Sequence, residues 1–260
     1  MQTQSIDDIL RTELTPEQYE AAVDPSKEVL SLACAGSGKS RTLAFRIARL
    51  IAQGEDPKTI VAFTFTDKAA ESIKVRVAKA LEIPGLNATA VGAMYLGTIH
   101  SFCQLVLGQM NATYRQFDVL DENRLKLFLI SRYPQLGINQ LRSRAPNQSY
   151  FRTIKEVSDA WKTANDEMIS LANIQAGDAQ LGNVLSNIRL KLLQDQYLDF
   201  SSMIRIVAEA LRENDPNVQR AESVSRLRHL MVDEYQDVNP AQEVLIAELH
   251  RLSDTLFVVG

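Results

Sequence analysis

Val29-Leu30-Ser31-Leu32-Ala33-Cys34-Ala35-Gly36-Ser37-Gly38-Lys39-Ser40 is the stretch that decides how the rest of the chain is read. A short apolar run ends in a glycine-containing loop, and a helical pattern with Leu43, Ile47, Leu50 and Ile51 follows. Strand before and helix after is the context that a phosphate-binding loop requires. Glycines let backbone N–H groups turn toward one point, and the helix N-terminus adds partial positive charge there. Lys39 is placed to reach the β- and γ-phosphates of a nucleotide, and the Ser40 hydroxyl to ligate Mg²⁺. Residues Ala33, Cys34, Ala35, Gly36, Ser37, Gly38, Lys39 and Ser40 are therefore read as a nucleoside triphosphate site, although the first position of the pattern is Ala33 instead of glycine.

Working outward, strand-like and helix-like stretches alternate. Thr59 to Thr66 is rich in β-branched and aromatic residues, Lys68 to Leu81 is helical in pattern, and Met94 to Ile99 reads as a third strand before a helix near His100 to Gln109. Toward the other end, Leu230-Met231-Val232 and Leu256-Phe257-Val258-Val259 read as buried strands around a helix with Ala241, Leu245, Leu249 and Leu252. This alternation predicts an α/β fold, a parallel sheet covered by helices on both faces. Between about Asp121 and Arg228 there is almost no β-rich run, only helical patterns such as Ile154, Val157, Ala160 and Trp161. An all-helical insertion into an α/β domain accounts for both, with boundaries at 1–110, 111–217 and 218–260. Arg142 to Asn147 is expected to be an exposed loop of the insertion.

Leu230-Met231-Val232-Asp233-Glu234-Tyr235-Gln236-Asp237 sets two carboxylates at the end of a hydrophobic strand, the edge where chemistry collects in open parallel sheets. Asp233 would hold Mg²⁺, directly or through water, and Glu234 would accept a proton from an attacking water. Catalysis would thus rest on Glu234 and Lys39, and metal binding on Ser40 and Asp233.

Composition limits the alternatives. The 260 residues are 45% hydrophobic and 23% charged, ordinary for a soluble globular protein. No apolar run is long enough for a membrane-spanning helix, and the polar, acidic start is unlike a secretory signal. Two cysteines, Cys34 and Cys103, lie in apolar or glycine-rich stretches and read as buried free thiols in a reducing, cytoplasmic setting. The net charge of −4 argues against nucleic-acid binding by bulk electrostatics, so any such binding needs a specific groove.

Further segments in order resemble the UvrD/Rep family of superfamily one DNA helicases. Leu14-Thr15-Pro16-Glu17-Gln18-Tyr19-Glu20-Ala21-Ala22 is similar to the family's Q motif, Phe63 to Glu71 to motif Ia, Gly97 to Cys103 to motif Ib, and the acidic box with Asn239 and Gln242 to motif II. The resemblance implies a RecA-like fold with an accessory helical subdomain, and ATP and Mg²⁺ as cofactors. Gln18 would hydrogen-bond the adenine, with Arg41 packing near the base. Phe65, Thr66, His100 and Ser101 would contact single-stranded DNA, Phe65 as a stacking platform. Asp199 to Ile204 resembles a recurring segment at the return from the insertion. Two positions depart from the pattern: Asp67 replaces the usual Asn, which puts a negative charge near the path of a phosphate, and Tyr235 replaces Phe or Trp.

The resemblance further implies a 3′-to-5′ ATP-dependent motor whose partners are single-stranded DNA and a second RecA-like domain. The sequence ends at Gly260, before motif III, so the chain is expected to be a fragment with weak hydrolysis and no unwinding. A nucleotide-binding regulatory module without motor activity is the competing reading, and a P-loop NTPase acting on something other than DNA is a third.

Overall fold

The computed structural model describes residues 6–34, 36–81, 91–143 and 149–260. The elements run α1 (Ile6–Glu13), α2 (Pro16–Val23), β1 (Glu28–Ser31), α3 (Lys39–Ala52), β2 (Ile60–Thr64), α4 (Asp67–Ala80), β3 (Tyr95–Thr98) and α5 (Ile99–Met110). They continue as β4 (Asp118–Leu120), α6 (Glu122–Ser131), α7 (Ile138–Ser143), α8 (Tyr150–Asp166), α9 (Leu171–Gly177), α10 (Ala179–Gln194), β5 (Tyr197–Asp199) and α11 (Phe200–Arg212). The last are α12 (Pro216–Arg220), α13 (Glu222–Ser225), β6 (His229–Val232), α14 (Pro240–His250) and β7 (Thr255–Val259).

Two compact units emerge. The first comprises Met1–Val106, Gln219–Val238 and Ile246–Gly260; the second comprises Leu107–Val218 and Asn239–Leu245. The first is built on a five-stranded sheet, order β1-β7-β6-β2-β3, with every pairing parallel. Strands β2 and β6 are buried along their whole length, as expected where helices cover both faces. On one face Val29, Phe257, Met231, Ala62 and Leu96 join a core with Leu43 and Ile47 of α3 and Ile73 and Val77 of α4. On the other, the Phe102 ring of α5 meets Phe63 and Tyr95 edge-on, with centroids 5.1 and 5.0 Å away.

Strands β2 and β3 are shorter than the sequence pattern suggests, β1 ends two residues earlier, and β6 and β7 each begin one residue earlier; at β2 the reasons are local. Thr59 closes a 3₁₀ turn whose cap is Asp56, so β2 begins at Ile60. Thr66 leaves the sheet to cap α4, its hydroxyl accepting from the Ala69 N–H at 3.1 Å. Phe65 is therefore carried past the last strand residue and is 38% exposed.

The second unit has its own core, in which Leu125, Phe128 and Leu129 of α6 meet Ile154, Val157 and Trp161 of α8 and Leu185, Ile188 and Leu192 of α10. One departure from an all-helical middle appears: β4 and β5 form a parallel two-stranded ladder, Asp118–Leu120 against Tyr197–Asp199. Asp199 ends that ladder and caps α11 reciprocally with Ser202. Its buried carboxylate also accepts from Trp161 Nε1 at 2.9 Å, and burial pushes it above the usual carboxylate range. Of the predicted exposed loop, Arg142 and Ser143 belong to α7, and 144–147 lie outside the described residues.

Candidate functional site

All the singled-out loops of the first unit leave the same, carboxyl edge of the sheet. The glycine-containing loop follows β1, Phe65 and Thr66 follow β2, His100 and Ser101 follow β3, and Asp233 and Glu234 follow β6. The loop after β1 is pinned to the end of β7, since Ala33 N–H donates to Gly260 O at 2.9 Å and Gly260 N–H to Ser31 O at 3.1 Å.

Gly38 caps α3 with φ 91°, a left-handed conformation that costs little only for glycine. It has a second constraint. A Cβ at this position would stand 2.7 Å from Gln18 Nε2. The Gln18 amide is held at both ends, its oxygen accepting from Thr15 N–H at 3.1 Å and its Nε2 donating to Ser37 O at 2.6 Å. Helix α2 therefore braces the loop through the residue that the resemblance assigns to the base. That helix is fastened in turn by Arg46 of α3, whose guanidinium donates to Ala21 O and Asp24 O at 3.1 and 3.0 Å and lies 4.7 Å over the Phe257 ring. Burial lowers the Arg46 pKa to about 10.

Lys39 Nζ lies 2.6 Å from Glu234 Oε2, although the two residues are 195 positions apart. Beside this pair, Ser40 Oγ donates to Asp233 Oδ2 at 2.9 Å. Hydrogen bonding to Glu234 raises the Lys39 pKa, and the same contact holds the Glu234 carboxyl below its ordinary range, with Gln236 helping. Asp233 is only 2% exposed, and desolvation pushes it up against the pull of the Ser40 hydroxyl. A buried carboxylate beside a hydroxyl is a hard-oxygen set that suits Mg²⁺ completed by phosphate oxygens and water.

Arg41 pairs with the Glu13 carboxylate and sits 5.8 Å from the Phe45 ring centroid. These residues line a cavity of about 360 Å³ together with Ile9, Arg76 and Lys79. Glu13 carries no motif signal, and only its contact with Arg41 brings it to notice. Gln236 stands in the acidic box without an assigned role; its Nε2 donates to Glu234 Oε2 at 2.7 Å. Ala35 lies outside the described residues. Cys103 is buried as expected, but Cys34 is exposed, which corrects the reading of both as buried thiols. Strand β1 ends at Ser31, so Leu32, Ala33 and Cys34 already belong to the loop, and Leu32 is itself exposed.

At the far side of the edge, Thr64 of β2 pairs with Thr98 of β3, so Phe65 and Thr66 leave the sheet next to His100 and Ser101. Ser101 N–H donates to Thr98 Oγ1 at 3.2 Å, fixing the first turn of α5. Asp67 opens α4, where its charge suits the helix N-terminus.

Residues 14–260 match the profile of the UvrD/REP helicase N-terminal domain. The chain belongs to the UvrD/REP helicase family. It is 32% identical over 253 residues to the ATP-dependent DNA helicase PcrA of Bacillus subtilis, covering 95% of this chain and 32% of that protein. It is also 32% identical over 250 residues to the ATP-dependent DNA helicase UvrD1 of Mycobacterium leprae, covering 91% of this chain and 30% of the relative. The chain thus spans about a third of the length of these relatives. The parallel sheet with helices on both faces is that of a RecA-like helicase N-terminal domain, as the family predicts. No helix among the described residues is long and apolar enough to cross a membrane.

Proposed function

We propose that the first unit is the ATP-binding part of a 3′-to-5′ DNA helicase that couples hydrolysis to movement along single-stranded DNA. The observation that carries the reading is the convergence of Lys39 and Ser40 with Glu234 and Asp233 at one strand edge. Phosphates would lie on the N–H groups from Ala33 to Ser40 and on Lys39, with Gln18 and Arg41 toward the base. Mg²⁺ held by Ser40 and Asp233 would supply charge neutralisation at the phosphates. Glu234 would take the proton of the attacking water.

Phe65, Thr66, His100 and Ser101 would form the DNA track, an exposed aromatic ring among polar groups. The second unit would be an accessory subdomain, and the setting cytoplasmic. The other partner is a second RecA-like domain bringing arginines to the γ-phosphoryl group, a contribution of about 10³–10⁵ in rate in related enzymes. These 260 residues alone are then expected to bind ATP, hydrolyse it slowly and unwind nothing.

The test is ATP hydrolysis with and without single-stranded DNA, by this chain and by a version extended to the end of its gene. Stimulation only in the extended protein, abolished by Lys39→Ala and by Glu234→Gln, supports the motor. An extended protein indifferent to DNA favours a nucleotide-binding module instead.

A further inference from the structure

Glu234 begins the acidic turn in a left-handed conformation, φ 54° and ψ 46°, which a non-glycine residue adopts only at a cost. The strain turns its side chain back toward the loop after β1. There Oε2 accepts twice, from Lys39 Nζ at 2.6 Å and from Gln236 Nε2 at 2.7 Å. Among the described residues no hydrogen bond is made to Oε1.

The two donors differ in what else they can do. An ammonium attracted by a triphosphate turns to it, because several phosphate charges outweigh one carboxylate. A carboxamide carries no charge and stays. Gln236 is exposed, but its Oε1 lies near the end of β7, where a Cβ on Gly260 would stand 3.2 Å from it, and its Nε2 has a second, longer contact with Asp237 Oδ2 at 3.5 Å. Gly260 is itself tied to the end of β1. Gln236 therefore lies between the acidic turn and the end of β7, to which the loop after β1 is tied.

We propose that Gln236 is a positioning residue that keeps the Glu234 carboxylate in place, with Oε1 open toward water, once Lys39 has turned to a phosphate. The proposal rests on reading Glu234 as the general base. Gln236 touches neither nucleotide nor water in this role; it acts through Glu234.

The test uses the full chain with Gln236→Ala and with Gln236→Met, which keeps the length and removes the donor without adding a charge. Both are expected to lower kcat at least tenfold, a part of the roughly 10²–10⁴ that a placed base contributes, and to leave KM and directly titrated ADP·Mg²⁺ affinity within about threefold. A second readout is independent of turnover. The Gln236 side-chain amide, followed by ¹⁵N NMR and identified by its loss in Gln236→Ala, should be shifted and slow to exchange with and without ADP·Mg²⁺. In Glu234→Ala it should return to the position of a free glutamine. An amide that looks free in the ADP·Mg²⁺ complex, a resonance indifferent to Glu234→Ala, an unchanged kcat, or a nucleotide affinity lost in step with kcat would each overturn the proposal. Failure of the wild-type chain to bind any nucleotide would sink the ATP-site reading instead, with the Gln236–Glu234 resonance test still decisive for their contact.

Discussion

Lys39 and Glu234 hold each other by an ion pair of 2.6 Å, with the lysine side chain 10% and the glutamate 38% exposed. The residue proposed to grip phosphate and the residue proposed to activate water are therefore competitors for one contact. A nucleotide bound as proposed would have to take Lys39 away from Glu234, and its binding would be weakened by whatever that pair contributes.

The first prediction follows from this competition. Glu234→Gln keeps the shape and removes the charge, so ADP·Mg²⁺ affinity should rise by about threefold, the modest change expected of a partly exposed ion pair. Hydrolysis should fall at the same time. Lys39→Ala should lose both. Calorimetric titration of the two variants decides it, and a Glu234→Gln chain that binds ADP more weakly than wild type would remove the competition from the account.

Arg46 supports the second prediction. Its guanidinium donates to carbonyls at the end of α2 and stacks over Phe257, and it is buried to 6% exposure. Arg46→Met keeps the bulk and strands those acceptors, which should cost about 1–3 kcal/mol. Because α2 carries Gln18 to Ser37, nucleotide affinity should fall more than the stability loss alone requires at a temperature where the variant is folded. Urea unfolding paired with ADP titration separates the two effects. Normal affinity in a destabilised variant would show that the loop does not need the brace.

How far the sequence discloses this arrangement depends on whether a feature is local. Lys39, Ser40, Asp233 and Glu234 are legible because each follows an apolar strand, and the ends of parallel strands share one edge. The five sheet strands are legible for the same reason. Strands β4 and β5 are not, since three residues show no periodicity and their partners lie far apart in sequence. Gln236 and Glu13 escape notice because their roles depend on the left-handed bend at Glu234 and on where α1 ends beside Arg41. Cys34 misleads because the apolar run before it outlasts the strand: β1 ends at Ser31, and Leu32 is exposed like Cys34.

A third prediction concerns acid. In the helical unit Asp195 accepts from Lys191 Nζ at 2.8 Å and from Arg132 at 2.6 Å, and these partners, Lys191 first, hold its carboxyl below the ordinary range. A carboxyl depressed in the folded state stabilises it above the unfolded value. That stability is lost as pH falls through the depressed value. Asp195→Asn should therefore cost about 1 kcal/mol at neutral pH and almost nothing near pH 2. Denaturant unfolding of both proteins across that range provides the measurement, and a constant difference at every pH would mean that the charge plays no part.

The fourth prediction uses the two thiols as reporters of the loop. Cys103 is fully buried, and burial raises its thiol well above the ordinary range, so it should not react in the folded chain. Cys34 is exposed in the loop whose N–H groups are proposed to face the phosphates. Iodoacetamide should then modify one cysteine in the native chain and two after unfolding. With ADP·Mg²⁺ at about a hundred times its Kd, nearly every site is filled, and the Cys34 rate should drop at least tenfold if access requires an open loop. The labelled position is read by peptide mass spectrometry, and occupancy by titration of the same sample. A Cys34 that reacts at an unchanged rate under demonstrated saturation places the nucleotide away from this loop, and with it goes the assignment of Ala33 to Ser40 as the phosphate cradle.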